Sequence, residues 1–179
     1  SLTEAQKALV PVQDYKKLTD AEAEYDRLKE AEENREKANE VIAKINGIGT
    51  VTNTADSKKK IEEARSAYDS LTEAQKALVT EQDYKKLTDA EAKYEELIVQ
   101  SVVEKIKAIG KETAGSDAWK QKVEEAKAAY NSLSGELKEK VSDEDVKKLT
   151  DAEAEYNRLK EEEDKEKANE AIAKINGIG

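Results

Sequence analysis

The feature that most constrains this chain is a repeat. Residues 1–30 read SLTEAQKALVPVQDYKKLTDAEAEYDRLKE and residues 70–99 read SLTEAQKALVTEQDYKKLTDAEAKYEELIV, so 23 of the 30 aligned positions are identical. A third, diverged copy begins at Ser132, which gives spacings of 70 − 1 = 69 and 132 − 70 = 62 residues. A second element, ANEVIAKINGIG at residues 38–49, returns at residues 168–179 with one change. Self-similarity at such a period predicts an array of like modules, each of them one supersecondary unit.

Apolar residues recur at the spacing of an α-helix. Charged residues make up 40% of the 179 positions, a composition that disordered chains also have. Between residues 57 and 79, however, the apolar side chains are three or four positions apart, which places them on one helical face. They are Ile61, Ala64, Tyr68, Leu71, Ala74, Leu78 and Val79. The sequence therefore predicts an all-α protein.

Each module reads as three long helical stretches. The first is expected over about residues 38–46, ending where Gly47 and Gly49 supply positive φ angles. The second is expected over about residues 57–70, with Asp56 or Ser57 as its N-cap. Because three amphipathic stretches bury their apolar faces only by packing together, we expect a three-helix bundle.

A short helix is expected between the second and third stretches. Thr72 followed three residues later by Gln75 has the pattern of a capping box, which predicts a fresh helix start over residues 73–79. The third stretch is expected to begin near Gln82. Whether the second stretch and the short helix form one kinked helix or two is left open.

No Gly or Pro separates the last helix of one module from the first helix of the next. Residues 19–45 therefore predict one uninterrupted helix. Such shared helices would join the bundles end to end into an elongated rod. The domain prediction is a partial module with its junction helix at residues 1–37, complete modules at 38–99 and 100–162, and a partial module at 163–179. Methionine is absent even at position 1, so we expect a piece of a longer chain.

Composition excludes several kinds of chemistry. The chain has no Cys and no His, which removes disulfides, Cys/His zinc sites, thiol nucleophiles and imidazole bases. A net charge of −10 disfavours nucleic acid as a partner, and no apolar run is long enough to span a membrane. The acidic cluster at residues 143–145 lacks the ligand spacing of a calcium loop and, after Ser142, is typical of a helix start. We expect no catalytic residue, no metal and no cofactor.

The aromatic residues offer few candidate binding positions. The seven tyrosines recur at equivalent module positions, which favours packing over ligand stacking, although Tyr15 and Tyr84 become Val146 in the third copy. Trp119, the only tryptophan, has Ser57 at its equivalent position. Two interpretations stay open for Trp119. It packs against the loop before its helix and holds that loop in place, or it is an interface residue that binds a partner protein, as tryptophans often do.

The combination of AYDSLTEAQKALV, YKKLTDAEAKYEEL and IAKINGIG resembles the tandem, spectrin-like three-helix repeats of cell-surface proteins of Gram-positive (Firmicutes) bacteria. The resemblance implies an extracellular location on a wall-attached parent protein, with flanking modules of the same chain as neighbours. It implies a non-enzymatic spacer or stalk. The alternative is an adhesin module that binds a host protein such as an immunoglobulin or a glycoprotein.

Overall fold

The computed structural model describes residues 3–111 and 113–178, and these residues form helices and turns without a strand. The helices are α1 (Glu4–Lys7), α2 (Val12–Gly47), α3 (Ala55–Asp69), α4 (Glu73–Lys76), α5 (Glu81–Ala108), α6 (Asp117–Asn131), α7 (Gly135–Lys138) and α8 (Asp143–Asn176). One 3₁₀ turn (Ile109–Lys111) follows α5. The all-α prediction is confirmed.

Side-chain caps decide where the helices begin. At α4 the Thr72 hydroxyl accepts the Gln75 amide while the Gln75 side chain accepts the Thr72 amide, so the predicted capping box and the break before it are confirmed. The predicted N-cap of α3 is wrong: Thr54 caps the helix by accepting the amide of Ser57. Thr54 takes this role because it is extended and lies three residues before a free amide, the geometry that N-capping requires.

The uninterrupted helix predicted over residues 19–45 is confirmed, since α2 runs from Val12 to Gly47. The prediction that Gly47 has a positive φ is wrong, because Gly47 is the last residue of α2. Of these two glycines, only Gly49 has a left-handed conformation, with a φ of 66°. A single left-handed glycine is enough to redirect the chain after a helix.

The chain divides into two compact units, the first reaching to Glu91 and the second beginning at Ala92. The division falls within α5, eight residues before the predicted module boundary at residues 99 and 100 (99 − 91 = 8). The four-part domain scheme stays a prediction.

Both units use the same repeat positions for their cores. We call residues at equivalent repeat positions counterparts; between the two units they lie 61 or 62 residues apart. The first core contains Ala38, Val41, Ile45, Ile48, Ile61, Ala64, Leu71, Val79, Leu87 and Ala90. The second contains Val102, Ile106, Ile109, Trp119, Val123, Ala126, Leu133, Val141, Leu149 and Ala152. Nine of these buried positions are counterparts of one another, which shows that the repeat in sequence is a repeat in packing.

Candidate interaction surfaces

Trp119 lies in the core of the second unit. It occupies the first turn of α6, whose N-cap Ser116 accepts the Trp119 amide at 3.2 Å, and its side chain is 5% exposed. Its ring stacks against Tyr156 of α8 with the centroids 6.5 Å apart. In the first unit the counterpart Ser57 is also buried, but it bonds to Thr52 instead. Packing accounts for the burial of Trp119, and its contact with a partner stays a prediction.

Tyr156 presents its polar end at the surface beside this stack. Its hydroxyl donates a hydrogen bond to the Glu124 carboxylate on α6. That bond, with burial and the nearby negative charge adding to it, raises the pKa of Tyr156 above its usual value. A neighbouring bond from Lys120 to Glu163 also joins α6 to α8, and it raises the pKa of Lys120. Both bonds hold the two helices together.

Arg65 organises a cluster on the first unit. Its guanidinium donates two bonds of 2.6 Å to the two carboxylate oxygens of Glu91, which joins α3 to α5. The same guanidinium lies 5.5 Å from the ring centroid of Tyr84, and Tyr68 packs on Tyr84 with the centroids 4.7 Å apart. The bonds to Glu91 raise the pKa of Arg65 above its usual value. A forked pair of this kind fixes both the distance and the rotation between two helices.

Sequence reasoning missed this cross-helix pair, although a clue was present. The counterparts of Arg65 and Glu91 are Lys127 and Glu153, and they form a pair at 2.9 Å in the second unit. A basic and an acidic residue therefore keep the same register in two modules whose second helical stretches, residues 57–69 and 119–131, differ at several positions. Recurrence of opposite charges on two helices at fixed repeat positions could have identified the contact.

A lysine near the start of the third stretch also recurs as a bridge. In the first unit Lys86 on α5 donates to the side chain of Asn46 on α2 at 2.9 Å. In the second unit its counterpart Lys148 on α8 donates to the backbone carbonyl of Lys107 on α5 at 3.2 Å. Asn46 and Lys107 are themselves counterparts. Both units thus tie the end of their first helical stretch to the start of their third.

Two apolar helix faces are exposed. The first, which we call the N-terminal face, lies on α2 and consists of Tyr15, Leu18, Tyr25 and Leu28. The second, the C-terminal face, consists of Ile172 and Ile175 near the end of α8 and Ile178 just beyond it. Leu18 is 54% exposed and Ile175 is 66% exposed. Apolar side chains grouped in this way on helical faces mark surfaces that other elements cover.

The other candidate positions have simple structural roles. The acidic cluster at residues 143–145 forms the first turn of α8 behind its N-cap Ser142, as predicted. Tyr84, a candidate for ligand stacking, packs on Tyr68 although it is 38% exposed, and its counterpart Tyr15 is 53% exposed. Within residues 3–111 and 113–178, no three acidic side chains converge as a metal-binding group.

The described part of the chain contains no helix with the length and hydrophobicity needed to cross a bilayer. No protein-family model, curated protein or solved structure matches the chain.

Proposed function

We propose that this chain is a structural spacer: a non-enzymatic array of three-helix modules joined end to end by shared helices into an elongated rod. The observation that carries the proposal is that the two units bury counterpart positions while long continuous helices, α2, α5 and α8, link successive repeats. A spacer requires repeated cores and stiff connections, and it requires no chemistry at any one position.

The length of the helices supports the rod. At about 1.5 Å per residue, the 36 residues of α2 extend roughly 54 Å. A compact globular protein of this chain length has a radius of gyration of about 16 Å, so its diameter would be smaller than α2 alone. The proposal includes an extracellular, wall-attached parent protein of a Gram-positive bacterium, which rests on the sequence resemblance.

Small-angle X-ray scattering of the Leu18→Glu chain tests the rod. The substitution places a charge on the exposed N-terminal face, which disfavours contacts of that face between copies and keeps the sample monomeric. We expect a radius of gyration about twice the globular value of roughly 16 Å. A second variant, with residues 29–33 replaced by Gly and Ser, is the control for stiffness. Because this segment would become flexible, its distance distribution should be broader and its maximum dimension less sharply defined. A value close to the globular one for the first variant would contradict the spacer.

Binding of a host protein is the competing function. The observation in its favour is the N-terminal face, whose exposed tyrosines and leucines are the residue types that protein interfaces use. The test is to immobilise the chain and pass immunoglobulin and mucosal glycoprotein over it at micromolar concentration. Binding that Leu18→Glu abolishes would establish the adhesin, whereas no binding would leave the spacer. If Trp119 contacts the partner, its fluorescence should change on binding.

A further inference from the structure

The two exposed apolar faces belong to segments that pack in the same module when both are present. Residues 1–30 carry the N-terminal face and match residues 70–99, in which Leu87, the counterpart of Leu18, is 0% exposed. Residues 168–178 carry the C-terminal face and match residues 38–48, in which Ile45, the counterpart of Ile175, is 2% exposed. Each chain therefore displays one half of a packing arrangement at either end of its sequence.

The first unit contains this arrangement in complete form. There α2 contacts α3 and α4, and the Gln75 side chain donates to Asn34 at 3.0 Å. The bridge from Lys86 to Asn46 adds a second tie, and the second unit repeats it with Lys148 and Lys107. These contacts join the segment of residues 34–48 to the segment of residues 73–90.

The polar partners needed for the same contacts are present on the exposed segments. Lys17 is the counterpart of Lys86 and pairs with Asp14, just as Lys86 pairs with Asp83. Asn176 is the counterpart of Asn46. Gln6 is the counterpart of Gln75, and Asp164 is the counterpart of Asn34. The carboxylate of Asp164 can accept a hydrogen bond from the side-chain amide of Gln6, as Asn34 does from Gln75.

We propose that the C-terminal segment of one copy, residues 164–178, docks on the N-terminal face of a second copy. Ile175 packs beside Leu18, Lys17 donates to Asn176, and Gln6 donates to Asp164. The contact is head-to-tail, so it uses a different surface on each copy and extends into oligomers. The association does not depend on the spacer function, because a monomeric spacer would serve equally well.

The geometry of both segments favours docking and also sets its strength. Residues 164–176 and 12–28 are already helical, which lowers the ordering cost of association. Neither of the two docking segments includes a counterpart of α3, which packs against α2 in the first unit. We therefore expect association in the micromolar range, weaker than a complete module interface would give.

Sedimentation velocity of the full chain at increasing concentration tests the proposal. At about 0.15 M salt, where charge repulsion beyond roughly 8 Å is screened, the weight-average sedimentation coefficient should rise with concentration. Leu18→Glu and Ile175→Glu should each remain monomeric, since every contact requires an intact N-terminal face on one copy and an intact C-terminal face on the other. Gln13→Glu is the matched control: it adds the same charge to α2 at a position whose counterpart Gln82 is exposed, and it should associate like the original chain.

A mixture of the two monomeric variants gives the decisive result. Leu18→Glu retains the C-terminal face and Ile175→Glu retains the N-terminal face, so an equimolar mixture should form 1:1 dimers that grow no further. Circular dichroism should show that all variants remain helical, because both substituted side chains are exposed.

The proposal is overturned if the original chain stays monomeric to about 100 µM, a limit that corresponds to roughly 5.5 kcal/mol of binding free energy. It is also overturned if either variant still oligomerises alone, or if the mixture fails to form dimers.

The lysine bridge offers a finer test of the docking geometry. Lys17→Met should weaken association severalfold, because it removes the donor to Asn176. Lys16→Met is the matched control, since Lys16 and its counterpart Lys85 pair with Asp20 and Asp89 on their own helices. Equal effects of the two substitutions would show that the segments meet in another register and would overturn the proposed contact.

Discussion

Residues 38–48 and 168–178 differ at one position, yet they have opposite environments. In the first segment Ala38, Val41, Ile45 and Ile48 are all at most 5% exposed. In the second, Ile172, Ile175 and Ile178 are all at least 55% exposed. Both segments are helical apart from their last residues. The difference shows that an amphipathic sequence specifies a helix with an apolar side, whereas burial of that side depends on which elements lie against it.

The second repeated pair, residues 3–28 and 72–97, separates local from non-local interactions. Both copies form the same capping box, at Thr3 and at Thr72. Both form the same i, i+4 lysine–aspartate pair on the third stretch. The burial of Leu87 and the stacking of Tyr84 have no equivalent in the first copy, where Leu18 and Tyr15 are exposed. Interactions within one helix therefore survive a change of environment, and interactions between helices do not.

The largest expected contrast is in amide hydrogen exchange. The backbone amides of residues 41–45 should exchange only when their whole unit unfolds, with a free energy of opening of about 5 kcal/mol or more. The amides of residues 171–175 should exchange with a free energy of opening close to zero. The peptides that contain Val41 and Ala171 differ in mass, so mass spectrometry can follow both in one sample. The measurement uses dilute Leu18→Glu chain to prevent association. Similar protection of the two peptides would refute the contrast.

A matched pair of alanine substitutions should give the next largest difference. Ile45→Ala removes a side chain that is 2% exposed and should cost about 2–5 kcal/mol in its unit. Ile175→Ala should change the free energy of unfolding by less than about 0.5 kcal/mol, because it leaves no cavity. Urea unfolding followed by circular dichroism measures both, because helical signal reports on each unit, whereas the single tryptophan lies in the second unit and would not report on Ile45→Ala. A large effect of Ile175→Ala in dilute chain would mean that this segment is packed.

The forked ion pair should show a smaller contrast. Glu91→Gln removes the forked partner of Arg65, whose side chain is 28% exposed, and leaves it the longer pair with Asp69 at 3.6 Å, so the change should cost about 1–2 kcal/mol. Glu22, the counterpart of Glu91, is exposed, so Glu22→Gln should have almost no effect. Unfolding midpoints in low and high salt would test whether the ion pair stabilises the unit. Because salt screens charges, the difference in midpoint between the original chain and Glu91→Gln should be smaller in high salt.

The smallest contrast concerns the two capping boxes. Thr72→Ala should cost about 1 kcal/mol, because α4 packs against α2 and its cap stabilises the packed unit. Thr3→Ala removes the same cap from α1, beside which Leu9 and Val12 are exposed, so the cooperative transition should not move. If both substitutions lowered the unfolding midpoint equally, α1 would be part of the cooperative unit.

Local rules predicted the all-α class and several helix positions from the sequence. Apolar periodicity predicted the helices, and the spacing of Thr72 and Gln75 predicted the start of α4. The N-cap of α3 was missed because Thr54, Asp56 and Ser57 are all good capping residues. The choice among them depends on the backbone conformation of the preceding loop, which is extended at Thr54. The pair of Arg65 with Glu91 could not be derived from either helix alone, because it depends on how two helices are rotated against each other.

The polar segment of α2, residues 29–37, has a mechanical consequence. It is held by pairs such as Lys29–Glu33 at 3.9 Å and by the bond from Gln75 to Asn34, with little apolar packing. Under a stretching force such a helix should unwind before the packed core that follows it in the first unit, since few apolar contacts have to be broken first. Nine residues going from about 1.5 to about 3.4 Å each would lengthen the chain by roughly 17 Å. The segment would then act as a reversible spring, which absorbs a sudden load and re-forms its helix when the load is released.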